Sequence, residues 1–303
     1  MNSSRAFVPF PADLQPVRVV RRLNRFAVEV RWDPEATPPS GSTARLDGTF
    51  KLHLPNSGRM TELLQPGTLG LAHLWGRGDR ATVGALLLVE YEGRWVSVDA
   101  HMPNRLFARC VEVGALPPFR GYKVQKKEVS WAQGRVDFLL APERPGKDGG
   151  VSTASVGVEG QSPSRKCSQR RGTLEKRGFE AGGSKGDERG GPDGDLSKLL
   201  FLVETKSCNL VEQGVALFPD APTARGARHL RELAEAVEMG YRAAVVWFIQ
   251  RDDAYAFAPH AKADPEFAEA LKEARAKGVE AYAYRCLVEP RGVTVLDEVG
   301  VGG

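Results

Sequence analysis

Two stretches decide how this chain reads: Gly134-Arg135-Val136-Asp137-Phe138-Leu139-Leu140 and Leu199-Leu200-Phe201-Leu202-Val203-Glu204-Thr205-Lys206-Ser207. Each is an apolar run of strand length that ends in polar residues. Side chains alternate faces along a strand, so Glu204 and Lys206 point one way and Thr205 the other. If the two strands pair, Asp137, Glu204 and Lys206 meet at one end of a sheet. Two carboxylates and an ammonium there suit a metal-dependent phosphodiester site. A salt-bridged sheet edge would use the same three residues, so the rest of the chain has to decide.

The chain has 303 residues, enough for two domains with their own cores. Its 42% hydrophobic and 26% charged residues are those of a globular protein rather than a disordered one. The first 136 residues carry 19 Lys and Arg against 12 Asp and Glu, and the remainder carries 23 against 26. A basic amino half fits contact with a polyanion. The four cysteines are widely spaced, without a C-x-x-C pair. That argues against a zinc site and a disulfide framework. No secretory h-region and no long apolar span are present, so the expected location is the cytoplasm, away from membranes.

In chain order, residues 1–14 read as a loose tail. Short alternating runs follow at 17–20, 26–32, 49–54, 69–75, 81–91 and 94–98, separated by turn chemistry such as Pro55-Asn56-Ser57-Gly58. This spacing predicts a small OB-like β-barrel over residues 15–98. Pro103, the apolar face Leu106, Cys110 and Val113, and Gly114 predict a helix over 103–113. Residues 142–197 hold 13 Gly and 4 Pro but one Phe, two Leu and three Val. Such a segment cannot offset its own ordering entropy, so a long disordered insertion is expected there. Beyond it the pattern turns α/β. Thr223 caps a helix that Gly240 ends, Ala243–Ile249 is a continuous strand, and Pro265 and Gly278 bracket a second helix. That alternation predicts a mostly parallel sheet flanked by helices, formed by residues 99–141 and 198–303.

A Mg²⁺-type ion wants hard oxygen ligands, and a nearby lysine can stabilise charge that develops on a phosphate. The pattern D…E-x-K resembles the PD-(D/E)xK, or restriction-endonuclease-like, nucleases. Leu52-His53-Leu54-Pro55-Asn56-Ser57-Gly58-Arg59-Met60 with Gln65-Pro66-Gly67 resembles the amino-terminal signature of the sugar fermentation stimulation protein A (SfsA) family. Asn104-Arg105-Leu106, Arg135-Val136-Asp137-Phe138, Glu204-Thr205-Lys206-Ser207 and the stretch Phe218 to Leu233 resemble the same family.

The resemblance implies an OB-like domain followed by a restriction-endonuclease-like domain, DNA binding, and a link to regulation of sugar, notably maltose, utilisation. It implies Asp137, Glu204 and Lys206 as a nuclease-like core using Mg²⁺ or Mn²⁺, with Glu128 as a further metal ligand. The alternative is an active nuclease that hydrolyses phosphodiester bonds. A homo-oligomer is compatible with the sequence, which sets no oligomeric state.

Two departures from the family pattern carry expectations. Thr205 replaces an apolar residue, and its side chain is expected to face away from the site with a small packing effect. The insertion places Asp137 and Glu204 67 positions apart where a short hairpin is expected. Candidate nucleic-acid contacts are Arg22, Arg25 and Arg59 on the barrel, and Arg225 with His229, which share one helical face and would meet either phosphate or the carboxylate cluster. Phe26 and Trp32 are either core or stacking surfaces for bases.

Overall fold

The first strand, β1 (Phe7–Pro9), lies where the sequence predicts a loose tail. In the computed structural model, which describes residues 5–36, 48–75, 81–132, 134–143 and 200–302, β1 pairs antiparallel with the last strand of the chain. Ala6, Val8 and Phe10 are buried. The alternation Ala-x-Val-x-Phe places three apolar side chains on one face, and the partner strand supplies the hydrogen bonds that make burial affordable.

The barrel consists of β2 (Gln15–Asn24), β3 (Ala27–Trp32), β4 (Thr49–His53), β5 (Leu69–Leu74), β6 (Gly84–Tyr91) and β7 (Arg94–Ser97). The strand order is β4-β3-β2-β5-β6-β7, and β4 also pairs with β6 at His53 and Ala85. That pairing closes five strands on themselves and removes the exposed edges. Val17, Val19, Val28, Val30, Leu52 and Leu86 fill the interior, as the period-two pattern requires.

The α/β domain follows as α1 (Met102–Glu112), β8 (Tyr122–Trp131), β9 (Gly134–Pro142), β10 (Phe201–Cys208), β11 (Leu210–Glu212), β12 (Val215–Phe218), α2 (Ala224–Glu238), β13 (Arg242–Ile249), β14 (Ala256–Pro259), α3 (Pro265–Ala276), β15 (Glu280–Glu289) and β16 (Gly292–Val301). Its sheet runs β11-β12-β14-β16-β15-β13-β10-β9-β8. Strands β10, β13 and β15 are parallel. β13 is the continuous apolar run, and it is buried on both faces because Ala244, Val246 and Phe248 face the α1 side while Val245, Trp247 and Ile249 face α2 and α3. Thr223 and Asp264 cap α2 and α3 through their side chains.

β9 and β10 pair antiparallel despite the long separation, with Phe201 opposite Leu140 and Val203 opposite Phe138. The expected insertion, 142–197, lies outside the described residues except for Pro142, which ends β9, and Glu143.

Because Phe10 is 6% exposed and packs in the same cluster as Phe107 and Phe138, Phe10→Ala is expected to cost about 3 kcal/mol or more in chemical denaturation. A residue in a loose tail would cost nothing.

Candidate metal centre

β9 and β10 diverge after the Val203–Phe138 pair, and Asp137 sits at that divergence. Its Oδ2 accepts the Thr205 backbone N–H at 2.8 Å and the Thr205 hydroxyl at 2.9 Å. Thr205 Oγ1 also lies 2.9 Å from the Asn104 side-chain amide in the first turn of α1. With the amide oriented to donate, Asn104 gives a hydrogen bond to Thr205 and Thr205 gives its single proton to Asp137. The expectation for Thr205 is therefore corrected. Its side chain faces away from Glu204 and Lys206, yet it holds Asp137, because the diverging strand brings the carboxylate round to that face.

Glu204 points the other way, towards α2, and is only 4% exposed. Its Oε1 is shared by the Lys206 ammonium and by Nδ1 of His229. Arg225 donates its Nε–H to His229 Nε2 at 3.3 Å. Nε2 is therefore an acceptor, the imidazole proton is on Nδ1, and His229 donates to Glu204. The four side chains form one chain from the exposed start of α2 to the buried carboxylate. Glu204 Oε2 is buried without any hydrogen-bond partner.

The two carboxylates are perturbed in opposite directions. Burial alone would raise Glu204, but Lys206 and His229 outweigh it and hold the carboxyl down at about 2. Asp137 is raised, first by burial and then by the Glu204 charge, against the opposing Thr205 hydrogen bonds and Lys206. Glu204 is thus firmly ionised, and its charge bears on a second, mostly buried acid. A hard divalent cation would offset both charges there, and Asp137 and Glu204 are the residues that would hold it.

The remaining expectations fare differently. Glu128 does not join the carboxylates. It sits at a left-handed φ of 54°, exposed, with Arg135 3.4 Å away. Among the described residues no three His, Cys, Asp or Glu side chains gather at one point. Of the two roles open to His229, the structure excludes the nucleic-acid contact and shows the carboxylate one: it is a buried partner of Glu204, 4% exposed and with both ring nitrogens engaged. Arg22 is likewise engaged, with its guanidinium on the carbonyls of Asn24, Arg25, Asn56 and Arg59. Arg25, Arg59 and Arg225 are exposed.

Of two further acids, the sequence marks Asp220, in a Pro-flanked loop before a helix, as turn chemistry that the family resemblance raises to a possible site residue, and it passes over Glu232. Asp220 accepts the Met60 N–H at 3.0 Å, tying the Pro55–Met60 turn of the barrel to the loop before α2. A Cβ on Gly58 would come within 2.8 Å of that carboxylate, so the turn needs glycine there. Glu232 lies one turn beyond His229 on the buried face of α2, with Oε2 unpartnered and packed over Gly134. Only the i, i+3 spacing from His229 could have flagged it.

Two outcomes follow. Thr205→Val is expected to lose about 1–3 kcal/mol, since Asp137 and Asn104 lose a buried partner, while Thr205→Ser keeps most of it; denaturant titration of the metal-free protein measures both. Asp137 has a raised folded pKa. It therefore favours the fold below its ordinary value of 3.8, and that contribution is lost as pH rises through the folded pKa. Metal-free Asp137→Asn should therefore melt higher than wild type at pH 7, with the gap closing below about pH 4 in a pH series of melting curves.

Comparison with known proteins agrees with this architecture. The family model described as the SfsA N-terminal OB domain matches residues 20–98, and that of the sugar fermentation stimulation protein RE domain matches residues 192–292. A sugar fermentation stimulation protein homolog of Moorella thermoacetica is 36% identical over 97% of this chain and 99% of its own length. One from Chloroflexus aurantiacus is 36% identical over 83% of this chain and 76% of its own length. The solved structure of Pyrococcus furiosus SfsA in complex with Ca²⁺ superposes with a TM-score of 0.71 at 25% identity, covering 98% of each chain. With this coverage and these two domains in this order, the chain belongs to the sugar fermentation stimulation protein family.

Proposed function

We propose that this protein binds DNA and hydrolyses phosphodiester bonds with a divalent metal ion, Mg²⁺ or Mn²⁺, held by Asp137 and Glu204. The observation that carries this reading is the Glu204 carboxylate. It is buried, ionised and unpartnered at Oε2, next to an acid whose pKa its charge raises. A structural ion pair has no need of a second acid there, whereas a cation offsets both charges. The solved Pyrococcus furiosus relative is in complex with Ca²⁺, which supports a divalent ion in this reading.

A bound ion of this kind acidifies water and neutralises charge on the scissile phosphate. The protein's own residues do the rest. Thr205 and Asn104 fix the direction of Asp137. His229 and Lys206 hold Glu204 in its charged form. Lys206, 16% exposed at its side chain, presents positive charge where the phosphate gains negative charge during attack by water and departure of the leaving oxygen. Arg225, exposed at the first turn of α2, binds a phosphate while its Nε steadies His229.

The second reading is a DNA-binding regulator of sugar, notably maltose, utilisation that holds metal without cutting. It is favoured by the direct Lys206–Glu204 contact, which leaves the ammonium engaged. Both readings place the protein in the cytoplasm. Among the described residues no helix is long and apolar enough to cross a membrane.

Incubation with single- and double-stranded DNA and RNA in Mg²⁺ or Mn²⁺ separates the readings. Cleavage that disappears in Asp137→Ala and Lys206→Ala is the expected result. Metal at about a hundredfold over its Kd should stabilise wild type by about 2.7 kcal/mol and leave Asp137→Ala unmoved. DNA binding with a metal response but no cleavage leaves the regulator. No metal response in wild type overturns the metal centre itself.

A further inference from the structure

We infer that Phe26, at the tip of the first barrel hairpin, is a stacking surface for an unpaired base, and that the partner is therefore a strand with single-stranded character. The inference rests on the DNA-binding reading above and names the form of nucleic acid.

Four observations carry it. First, the hairpin turn between β2 and β3 is only two residues long, Arg25 and Phe26, because Asn24 already pairs with Ala27. Two-residue turns select Asn, Gly and Asp for their backbone freedom. A guanidinium and a phenyl ring serve no turn geometry. Second, the two aromatics that the sequence leaves ambiguous separate cleanly. Trp32 is 7% exposed inside the barrel against Phe50, whereas Phe26 is 55% exposed.

Third, the turn is held rigidly. The Phe26 N–H donates to Asn24 Oδ1 at 2.8 Å, and its carbonyl accepts from the Leu54 N–H at 2.9 Å and lies 3.1 Å from His53 Nδ1. Arg22 bonds the carbonyls of both Arg25 and Arg59, so this turn and the Pro55–Met60 turn move as one. A ring displayed on a fixed backbone loses little entropy on stacking.

Fourth, the charges around the ring suit phosphates. Arg18 pairs with Asp33 and Arg21 with Glu29, and Arg22 is taken up by carbonyls. Arg25 and Arg59 are exposed and pair with no carboxylate among the described residues. The neighbouring turn reaches Asp220 and so the loop that starts α2, at whose head Arg225 stands. A strand whose phosphates follow Arg25, Arg59 and Arg225 would place one base over Phe26 and run towards Glu204. A single exposed phenylalanine is unremarkable on a protein surface. One fixed on the turn that carries Arg25, and tied through Arg22 to the turn that carries Arg59, matches the stacking-plus-charge pattern of single-strand binding.

The test uses the full chain in Ca²⁺, with fluorescence anisotropy of a labelled twelve-nucleotide oligothymidylate and of a labelled duplex of the same length. Phe26→Ala is expected to weaken oligothymidylate binding about tenfold, the effect of losing one stacked base, and to change duplex binding less than twofold. Phe26→Trp should restore single-strand affinity. A melting curve confirms that the exposed substitution leaves the fold intact. Equal loss on both probes, no change on either, or no binding of oligothymidylate by wild type would overturn the inference; a surface that docks another protein gives the second of these. The metal response of Phe26→Ala is read separately. If wild type shows no metal response but Phe26 still controls single-strand affinity, the nuclease reading alone fails. If the metal response is intact and Phe26 is indifferent, only this inference fails.

Discussion

The Glu204 carboxylate is the constraint around which the α/β domain is arranged. It is buried at the end of β10, and a buried charge is stable only with opposing charge and hydrogen bonds. Lys206 comes from the same face of the same strand, two residues on. His229 comes from α2, which packs against β13 and reaches β10. Arg225 fixes the imidazole tautomer from one turn earlier. Every donor goes to Oε1, and Oε2 is left without one. The fold thus satisfies one oxygen of the carboxylate and buries the other without a partner.

Asp137 shows the same economy on the opposite face. Thr205 uses its main chain and its side chain on one Asp137 oxygen, and Asn104 ties that pair to α1. Adjacent residues of β10 therefore serve the two faces of the sheet: Glu204 meets Lys206 and His229, and Thr205 holds Asp137. Three elements distant in sequence, α1, β9 and α2, converge on this one strand end. The barrel is joined to the same region by the Pro55–Met60 turn against Asp220. A second joint links the β6–β7 hairpin to the loop after β13, where Arg94 pairs with Asp252 and Arg251 lies over the Tyr91 ring. Polar contacts at both joints set the register of the barrel on the α/β domain.

Much of this was legible because local rules and tertiary rules agree. The barrel strands, Thr223 as a cap, Gly240 and Gly278 as helix ends, and the doubly buried β13 follow from periodicity and turn chemistry, and the structure uses them unchanged. The failures share a cause. Residues 7–9 look like a tail because the run is short and broken by Pro9 and Pro11, and their partner strand lies at the far end of the chain. Thr205 faces away from Glu204 as alternation requires, but its hold on Asp137 was not legible, because β9 leaves β10 at Asp137 and brings that carboxylate to the Thr205 face. His229 and Arg22 read as free cations because a sequence shows charge but not the carboxylate or carbonyls that consume it. Glu128 read as a ligand, but a left-handed backbone residue turns it towards Arg135.

By itself the sequence determined the order of the two domains, the strands that bear Asp137 and Glu204, and which residue types could hold a hard cation. These follow from spacing and side-chain chemistry, which are local. Only the tertiary structure decided which charges remain available. It closed His229 and Arg22 into the fold, left Glu204 Oε2 buried without a partner, fixed Asp137 through Thr205, and separated a buried Trp32 from an exposed Phe26. The physical reason is that availability is set by burial and by competing partners, and those partners come from elements that meet only once the chain has folded.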